Sequence, residues 1–186
     1  MTSTPARGCR LSVLYGLQGF CVVVRLAKIG CVGAVALFIA LVAFGNVTDY
    51  GTNFAYVAHV LDMDGIPGGS MIGWRALASP ALHHAAYLAI IATEIAITAL
   101  MGVGLLSMIG ARKAEGQAFA RAKGPAIIGL ALGFLLFEGG FVAIGGEWFG
   151  MWRSPLGAEA LPSAFRIAIT MLGVLIFIAM RDEDLG

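Results

Sequence analysis

Four long apolar stretches constrain this sequence more than any other feature. A bilayer core about 30 Å thick is crossed by roughly 20 apolar residues in a helix, and each stretch is close to that length or longer. Hydrophobic residues make up 59% of the chain and charged residues 12%, whereas soluble domains carry about a quarter charged residues. We therefore predict an all-α polytopic membrane protein, a four-transmembrane-helix bundle formed by residues 25–186. The predicted spans are residues 29–48, 83–110, 124–146 and 163–180.

An uncharged stretch near the N-terminus is too short to add a fifth span. It runs from Leu11 to Val24, and only Arg25 to Lys28 connect it to the next apolar stretch. Two antiparallel spans need a longer connection than this, and a span needs more residues. We expect residues 1–24 to form an amphipathic or disordered lead-in.

Lys and Arg are concentrated on one predicted side of the membrane, whereas the connections on the other side are mainly acidic. Cytoplasmic loops carry the excess of Lys and Arg, so we predict a multi-pass protein of the bacterial inner (cell) membrane with both termini in the cytoplasm. A net charge of +1 gives no indication of nucleic-acid binding. The cations on the predicted cytoplasmic side are Arg7, Arg10, Arg25, Lys28, Arg112, Lys113, Arg121 and Lys123.

Small residues at helical spacing indicate close helix packing. Lipid gives no hydrophobic drive between helices, so small side chains allow their backbones to approach. We expect such stripes to pack inside the bundle, and a homodimer contact through Gly129 and Gly133 of the third span is the alternative. The stripe of the second span consists of Ala85, Ala89, Ala92, Ala96 and Ala99.

One carboxyl group lies near the middle of the second span. Glu94 shares a helical face with His83, Tyr87, Thr98 and Met101, roughly opposite the alanine stripe. A charged carboxylate at this depth costs on the order of 3 kcal/mol or more, so we expect it to be protonated, hydrogen-bonded or both. Glu94 is either a proton- or cation-binding group or a neutral side chain that fixes the register of two helices.

A second carboxyl group, Glu138, lies in the outer half of the third span. The cation nearest to it in depth is Arg166, which we place in the first turn of the fourth span, with Ser163 as the N-cap of that helix. A Glu138–Arg166 ion pair is therefore a structural possibility. Apolar residues at helical spacing between Thr52 and Leu61 also predict a short interfacial helix in the first outer loop.

Further candidate functional residues lie at the predicted outer mouth of the bundle. Histidine and carboxylate are metal ligands, but adjacent histidines point to different sides of a helix, and interfacial histidines are usually hydrogen-bonded instead. We therefore predict neither a metal nor another cofactor, and the three cysteines have no metal-ligand spacing. The outer-mouth residues are His59, His83, His84, Asp49, Glu147 and Trp148.

Several of these residues stand in motifs that resemble a bacterial family of predicted small integral membrane proteins, a domain of unknown function. The resemblance covers about Val24 to Arg181. It implies four helices in a bacterial inner membrane, and it carries no reaction, so no catalytic residue is implied. The motifs are Asn46-Val-Thr-Asp-Tyr-Gly-Thr-Asn-Phe, His59-Val-Leu-Asp-Met-Asp, Trp74-Arg75, His83-His84, Glu138-Gly-Gly-Phe and Gly145-Gly-Glu-Trp-Phe-Gly-Met-Trp.

The sequence favours a function without catalysis. Short loops leave no room for a soluble catalytic domain, and Gly-rich faces suit partner membrane subunits or a homo-oligomer. We expect an accessory or assembly component of a membrane complex. The alternative is a small oligomeric proton, cation or solute carrier or sensor that uses Glu94, Glu138 and the outer histidines. A redox module with haem or quinone is a third hypothesis, weakened because the first, third and fourth spans contain no histidine.

Overall fold

The computed structural model describes residues 6–68 and 70–182, with side chains from Cys21 onward. Within these residues the chain is helical and contains no strand. Four helical segments are long and apolar enough to cross a membrane: Cys21–Thr48, Pro80–Gly110, Gly124–Trp148 and Pro155–Ala179. This confirms the predicted all-α fold with four spans. The elements are α1 (Ala6–Thr48), α2 (Tyr50–Asp62), α3 (Pro80–Gly110), α4 (Gly116–Ala122), α5 (Gly124–Phe134), a π-helix that continues α5 (Leu135–Trp148), and α6 (Pro155–Ala179).

The first helix is longer than the predicted span. The sequence analysis separates residues 1–24 from the span, whereas α1 runs without a break from Ala6 to Thr48. Arg25 and Lys28 do not interrupt it, since both are buried against neighbouring elements. Residues 1–24 were expected to be amphipathic or disordered. Most of the side chains that this expectation concerns lie outside the described residues.

The last helix begins earlier than predicted. Ser154, not Ser163, is its N-cap: the Ser154 hydroxyl accepts a hydrogen bond from the backbone N–H of Gly157 at 3.0 Å. Pro155 occupies the first turn, where its missing N–H costs nothing, and Pro162 lies inside the helix. Arg166 consequently sits about three turns into α6, not in its first turn.

The core lies where α3 packs between α1 and α5, and α5 packs on α6. Gly104 of α3 faces the backbone of Ala126, and a Cβ at Gly104 would lie 2.5 Å from the Ala126 nitrogen. Gly129 likewise faces Met101, and Gly133 faces Met171. Gly129 and Gly133 of α5 therefore serve packing within the bundle, as expected.

The alanine stripe of α3 does the opposite of what the sequence analysis expects. All five of its alanines are exposed, and the buried face of α3 is the one that carries Tyr87 and Glu94. The stripe therefore does not pack inside this bundle. It forms an outward face made of small side chains.

The second half of the third span is a π-helix, which the sequence analysis does not predict. Its wider turns are closed by bonds from residue i to residue i−5, such as Phe149 N–H to the Ile144 carbonyl at 3.0 Å. Four glycines in this stretch present no side chain, which suits a widened helix. They are Gly139, Gly140, Gly145 and Gly146.

The bundle has two chemically different ends. We call the end with the exposed side chains of Trp74, Trp148 and Trp152 the aromatic end. The other, the basic end, holds the buried side chains of Arg25, Lys28 and Lys123. The aromatic end corresponds to the predicted outer mouth. The helix predicted for the first loop is found there as α2.

Candidate functional site

The buried face of α3 carries the polar residues that the sequence analysis singles out. His83, Tyr87 and Glu94 are all buried and follow one another at intervals that keep them on one side of the helix. Thr98 is half-buried, and its hydroxyl oxygen is enclosed without a hydrogen-bond partner among the described residues. The predicted polar face of this span is thus the face turned toward the bundle.

Glu94 is held by a single amide group from another helix. Its side chain is 1% exposed, and Nδ2 of Asn46 donates to both carboxyl oxygens, at 3.0 Å to Oε1 and 2.8 Å to Oε2. Among the described residues, no cation lies within 4 Å of it. At 1.5 Å per residue, Glu94 lies about 21 Å along the axis from Pro80 and about 24 Å from Gly110, well inside the span.

Asn46 joins α1 to α3 through both its side chain and its main chain. It lies in the last turn of α1, and its backbone carbonyl accepts a hydrogen bond from the Tyr87 hydroxyl of α3 at 2.9 Å. Two residues later α1 ends, and α2 begins at Tyr50. The side-chain amide of Asn46 therefore contacts the acid, while its main chain is tied to the neighbouring tyrosine.

Aromatic rings connect this centre to the aromatic end. Tyr50 packs edge-on against Tyr87, with 4.8 Å between ring centroids, and its hydroxyl lies 2.8 Å from Nδ1 of His84. The ring of Phe54 stacks on His84 at 4.0 Å. Because His84 is exposed, this aromatic cluster extends from the buried Tyr87 to the surface of the bundle.

The other outer-mouth residues bind separate partners and do not form one site. His83 contacts the Leu77 carbonyl through Nε2 and lies 3.4 Å from Asp62, whereas His59 pairs with Asp64. Asp49 lies in the turn between α1 and α2, where its carbonyl accepts from the Asn53 amide at 3.0 Å. Among the described residues, no three His, Cys, Asp or Glu side chains are grouped as metal ligands would be.

Glu147 and Trp148 lie elsewhere at the aromatic end, beside Arg75. The Arg75 guanidinium donates to the carbonyl oxygens of both residues, at 3.5 and 3.1 Å. The guanidinium carbon lies 4.8 Å from the centroid of the Trp148 ring and 5.5 Å from that of Trp74. The sequence analysis does not anticipate this arrangement of Arg75.

The possible Glu138–Arg166 ion pair is not formed. Arg166 lies on the exposed face of α6 and donates to the Ser163 hydroxyl at 3.1 Å. Oε2 of Glu138 is enclosed and has no hydrogen-bond partner among the described residues. The reason is directional, because the side chain of Arg166 turns back along its own helix.

The sequence analysis did not identify Asn46 as the hydrogen-bond partner of Glu94. Asn46 appears there only as the first residue of a motif, although it is the one amide near the end of an otherwise apolar span. A buried carboxyl requires a hydrogen-bond partner. A search of the preceding span for an amide at a similar depth would therefore have identified Asn46 as the partner of Glu94.

Comparison with known proteins assigns the chain to a family. The profile of the family described as "Predicted small integral membrane protein (DUF2165)" matches residues 24–181. The chain belongs to this family. No curated protein and no solved structure matches it significantly. As a member of this family with four apolar spans, the protein is a multi-pass integral membrane protein.

Proposed function

We propose that this protein is a non-catalytic, proton-responsive membrane component in which Glu94 takes up and releases a proton. The observation that carries the proposal is the contact of one Asn46 amide nitrogen with both oxygens of a carboxyl group that is closed off from solvent. Ionisable side chains inside membrane spans are rare and usually functional.

The Asn46–Glu94 pair suits both protonation states of the acid. An ionised carboxylate only accepts hydrogen bonds, which matches two contacts from one NH₂ group. A protonated acid also donates, and it needs the amide oxygen as acceptor. Rotation of the Asn46 amide by half a turn exchanges its nitrogen and oxygen, so the oxygen then faces the carboxyl group and accepts its proton. Proton uptake therefore requires one side chain to turn.

The same residue links the proton to the aromatic end. The Asn46 carbonyl is held by Tyr87, and Tyr87 contacts Tyr50 at the start of α2. The titratable groups beside this centre are Asp49 and Tyr50 at the α1–α2 turn, and Tyr87 and His84 on α3. Because Asn46 lies in the last turn of α1, directly before the α1–α2 turn, we infer that proton uptake at Glu94 also alters the position of α2.

The test follows the carboxyl group directly. In lipid bilayers, infrared difference spectra between acidic and alkaline pH should contain a carboxyl band that Glu94→Gln removes. The matched control is Glu138→Gln, which removes an enclosed carboxyl group of the third span and should leave that band in place. All three tryptophans lie at the aromatic end, so a pH-dependent change in their fluorescence should also be lost in Glu94→Gln.

The infrared result decides the proposal. A spectrum in which Glu94→Gln changes no pH-dependent carboxyl band would refute it. Proton flux in proteoliposomes then separates a carrier from a sensor, because a carrier dissipates an imposed pH gradient and a sensor does not.

The basic end supports cytoplasmic termini in a bacterial inner membrane, since Lys and Arg are retained on that side.

An accessory or assembly role in a membrane complex is the second candidate, favoured by the outward alanine face of α3. Small side chains let another helix approach closely, and this face has no partner among the described residues. In mild detergent, the protein should exceed the 19.3 kDa of one chain, and the double variant Ala92→Leu/Ala96→Leu should return to it. Ile95→Leu, at an exposed neighbour that is already large, is the control. A wild-type particle containing one chain alone would exclude this role.

A further inference from the structure

An apolar cavity of about 260 Å³ lies between α2, α3 and the π-helix at the aromatic end. Its walls include Val57 and Leu61 of α2, Ile90 of α3 and Phe141 of the π-helix. Gly140 also lines it, and a side chain there would enter open space, since the only atom within 4 Å of a Cβ at Gly140 belongs to Leu136. The volume is just below the roughly 300–1,000 Å³ of typical ligand cavities, which suits a narrow apolar chain.

The polar side-chain group that lines this cavity is the Tyr56 hydroxyl, and its hydrogen-bond acceptor is a weak one. It donates to the thioether sulfur of Met151 at 3.7 Å. A thioether is a weak acceptor. An ester carbonyl placed in the cavity would accept a stronger hydrogen bond from the same hydroxyl.

A wider groove of about 700 Å³ adjoins the cavity and shares Ile144 and Phe149 with it. Arg75 and Glu147 line this groove. The Arg75 guanidinium packs against the rings of two tryptophans. Its Nη1 donates hydrogen bonds to two backbone carbonyl oxygens. Within the described part of the chain, Nη2 makes no hydrogen bond, and no ion pair joins Arg75 to the exposed Glu147 carboxylate.

We propose that the groove and cavity together bind one bilayer phospholipid with a phosphoethanolamine headgroup. The phosphate accepts hydrogen bonds from Nη2 of Arg75, the primary ammonium pairs with Glu147, and one acyl chain fills the cavity. Arginine donors suit phosphate oxygens, and tryptophan belts lie at headgroup depth. The site involves neither Glu94 nor Asn46, so it stands apart from the proton-responsive centre.

The charges of the groove decide which phospholipid fits. One cation and one carboxylate together are neutral, which matches a zwitterionic headgroup. A phosphatidylglycerol carries a net negative charge, and Glu147 repels it. A phosphatidylcholine has no N–H to donate to the carboxylate, so it loses the hydrogen bond that the primary ammonium makes.

The experiment measures which lipid remains bound to the intact protein. The full chain is reconstituted in vesicles of equal parts phosphatidylethanolamine, phosphatidylcholine and phosphatidylglycerol with identical acyl chains. The protein is then extracted in mild detergent, and the mass of the protein with any bound lipid is measured by native mass spectrometry. We expect one bound phosphatidylethanolamine per chain, enriched by up to about fivefold over the other two, which is the range that an exposed ion pair provides. Bound lipid that mirrors the vesicle mixture, or a retained quinone in its place, would overturn the proposal.

Two glycines on the same helix provide a matched pair of variants. Gly140→Leu fills the cavity and should abolish retention, whereas Gly139→Leu, whose Cβ meets no atom within 4 Å, should retain the lipid. Both changes place the same side chain in the same π-helix, so they share any effect on helix formation. Equal retention by the two variants contradicts the placement of the acyl chain.

The headgroup contacts are tested by substitutions of the two charged residues of the groove. Arg75→Gln should lower phosphatidylethanolamine retention by about tenfold or more, through loss of a charged donor. Glu147→Gln should leave retention of phosphate lipids in place and reduce the preference over phosphatidylglycerol by up to about fivefold, the range of an exposed ion pair. Unchanged retention in Arg75→Gln, or an unchanged preference in Glu147→Gln, refutes the assigned headgroup contacts.

Discussion

Replacement of Asp182 by Asn should destabilise the bundle more than any other single change at the basic end. Asp182 follows α6, and its side chain is 2% exposed. Its Oδ1 lies 2.7 Å from Nζ of Lys28, and its Oδ2 pairs with Nζ of Lys123. Both lysines also donate to the Met180 carbonyl, at 2.8 and 3.0 Å. One carboxylate therefore pairs with two buried cations, one from α1 and one from the start of α5.

The magnitude follows from what the variant leaves behind. Removing one partner of a buried ion pair costs about 3–5 kcal/mol, because the remaining charge stays buried without compensation. Asp182→Asn leaves two such lysines, and the retained Met180 contacts reduce the loss, so we expect about 3 kcal/mol. At about 2–4 °C per kcal/mol for a chain of this size, the melting temperature should fall by about 6–12 °C.

Thermal unfolding in detergent, followed by circular dichroism, measures this shift. Arg181→Gln is the control, since it changes the charge of the adjacent, exposed residue. In the double variant Asp182→Asn/Lys28→Met, one unpaired cation is gone, so part of the stability should return. A loss below about 1 kcal/mol, the range of exposed ion pairs, would show that the cluster is hydrated and that the reasoning from burial is wrong.

Three further predictions concern packing, capping and titration. Gly104→Leu should lower the free energy of unfolding by about 1–3 kcal/mol because its side chain meets the α5 backbone, whereas Gly102→Leu, which has open space, should not. Ser154→Ala should cost about 1 kcal/mol by removing the α6 cap, and Ser163→Ala should cost less in the same unfolding assay. Burial raises the pKa of Tyr56 from 10.0 to about 12, so its neutral form stabilises the fold below pH 10, and this contribution is lost as the pH rises through about 12. Tyr56→Phe should remove that part of the alkaline destabilisation, and identical pH profiles for variant and wild type would contradict it.

The spans were predictable because hydropathy over some 20 residues reports a requirement of the bilayer itself. The partners of the buried charges were not, since they depend on distant residues. Lys28 meets Asp182 across 154 positions and Asn46 meets Glu94 across 48. Sequence spacing along one helix indicates which face Glu94 occupies. It contains no information on which residue of another helix lies opposite.

The start of α6 was misplaced for a local reason. Pro162-Ser163 has the form of a helix start, and so does Ser154-Pro155 eight residues earlier. A proline interrupts a helix when it removes a needed hydrogen bond, yet in membranes neighbouring groups can satisfy the freed carbonyl. The earlier Ser-Pro pair is the one whose hydroxyl caps the helix. This choice places Arg166 about three turns into α6 and not in its first turn.

The alanine stripe of α3 was misassigned because two rules compete for the same helix. Small residues permit a neighbour to approach closely, which favours burying the stripe. A carboxyl group facing lipid costs several kcal/mol, which favours burying Glu94. Since the two faces are opposite, only one can be turned inward, and the second cost is the larger because an alanine facing lipid loses almost nothing. The acid therefore sets the rotation of α3 in the bundle, and the small residues are left on the outside, where a second chain can use them.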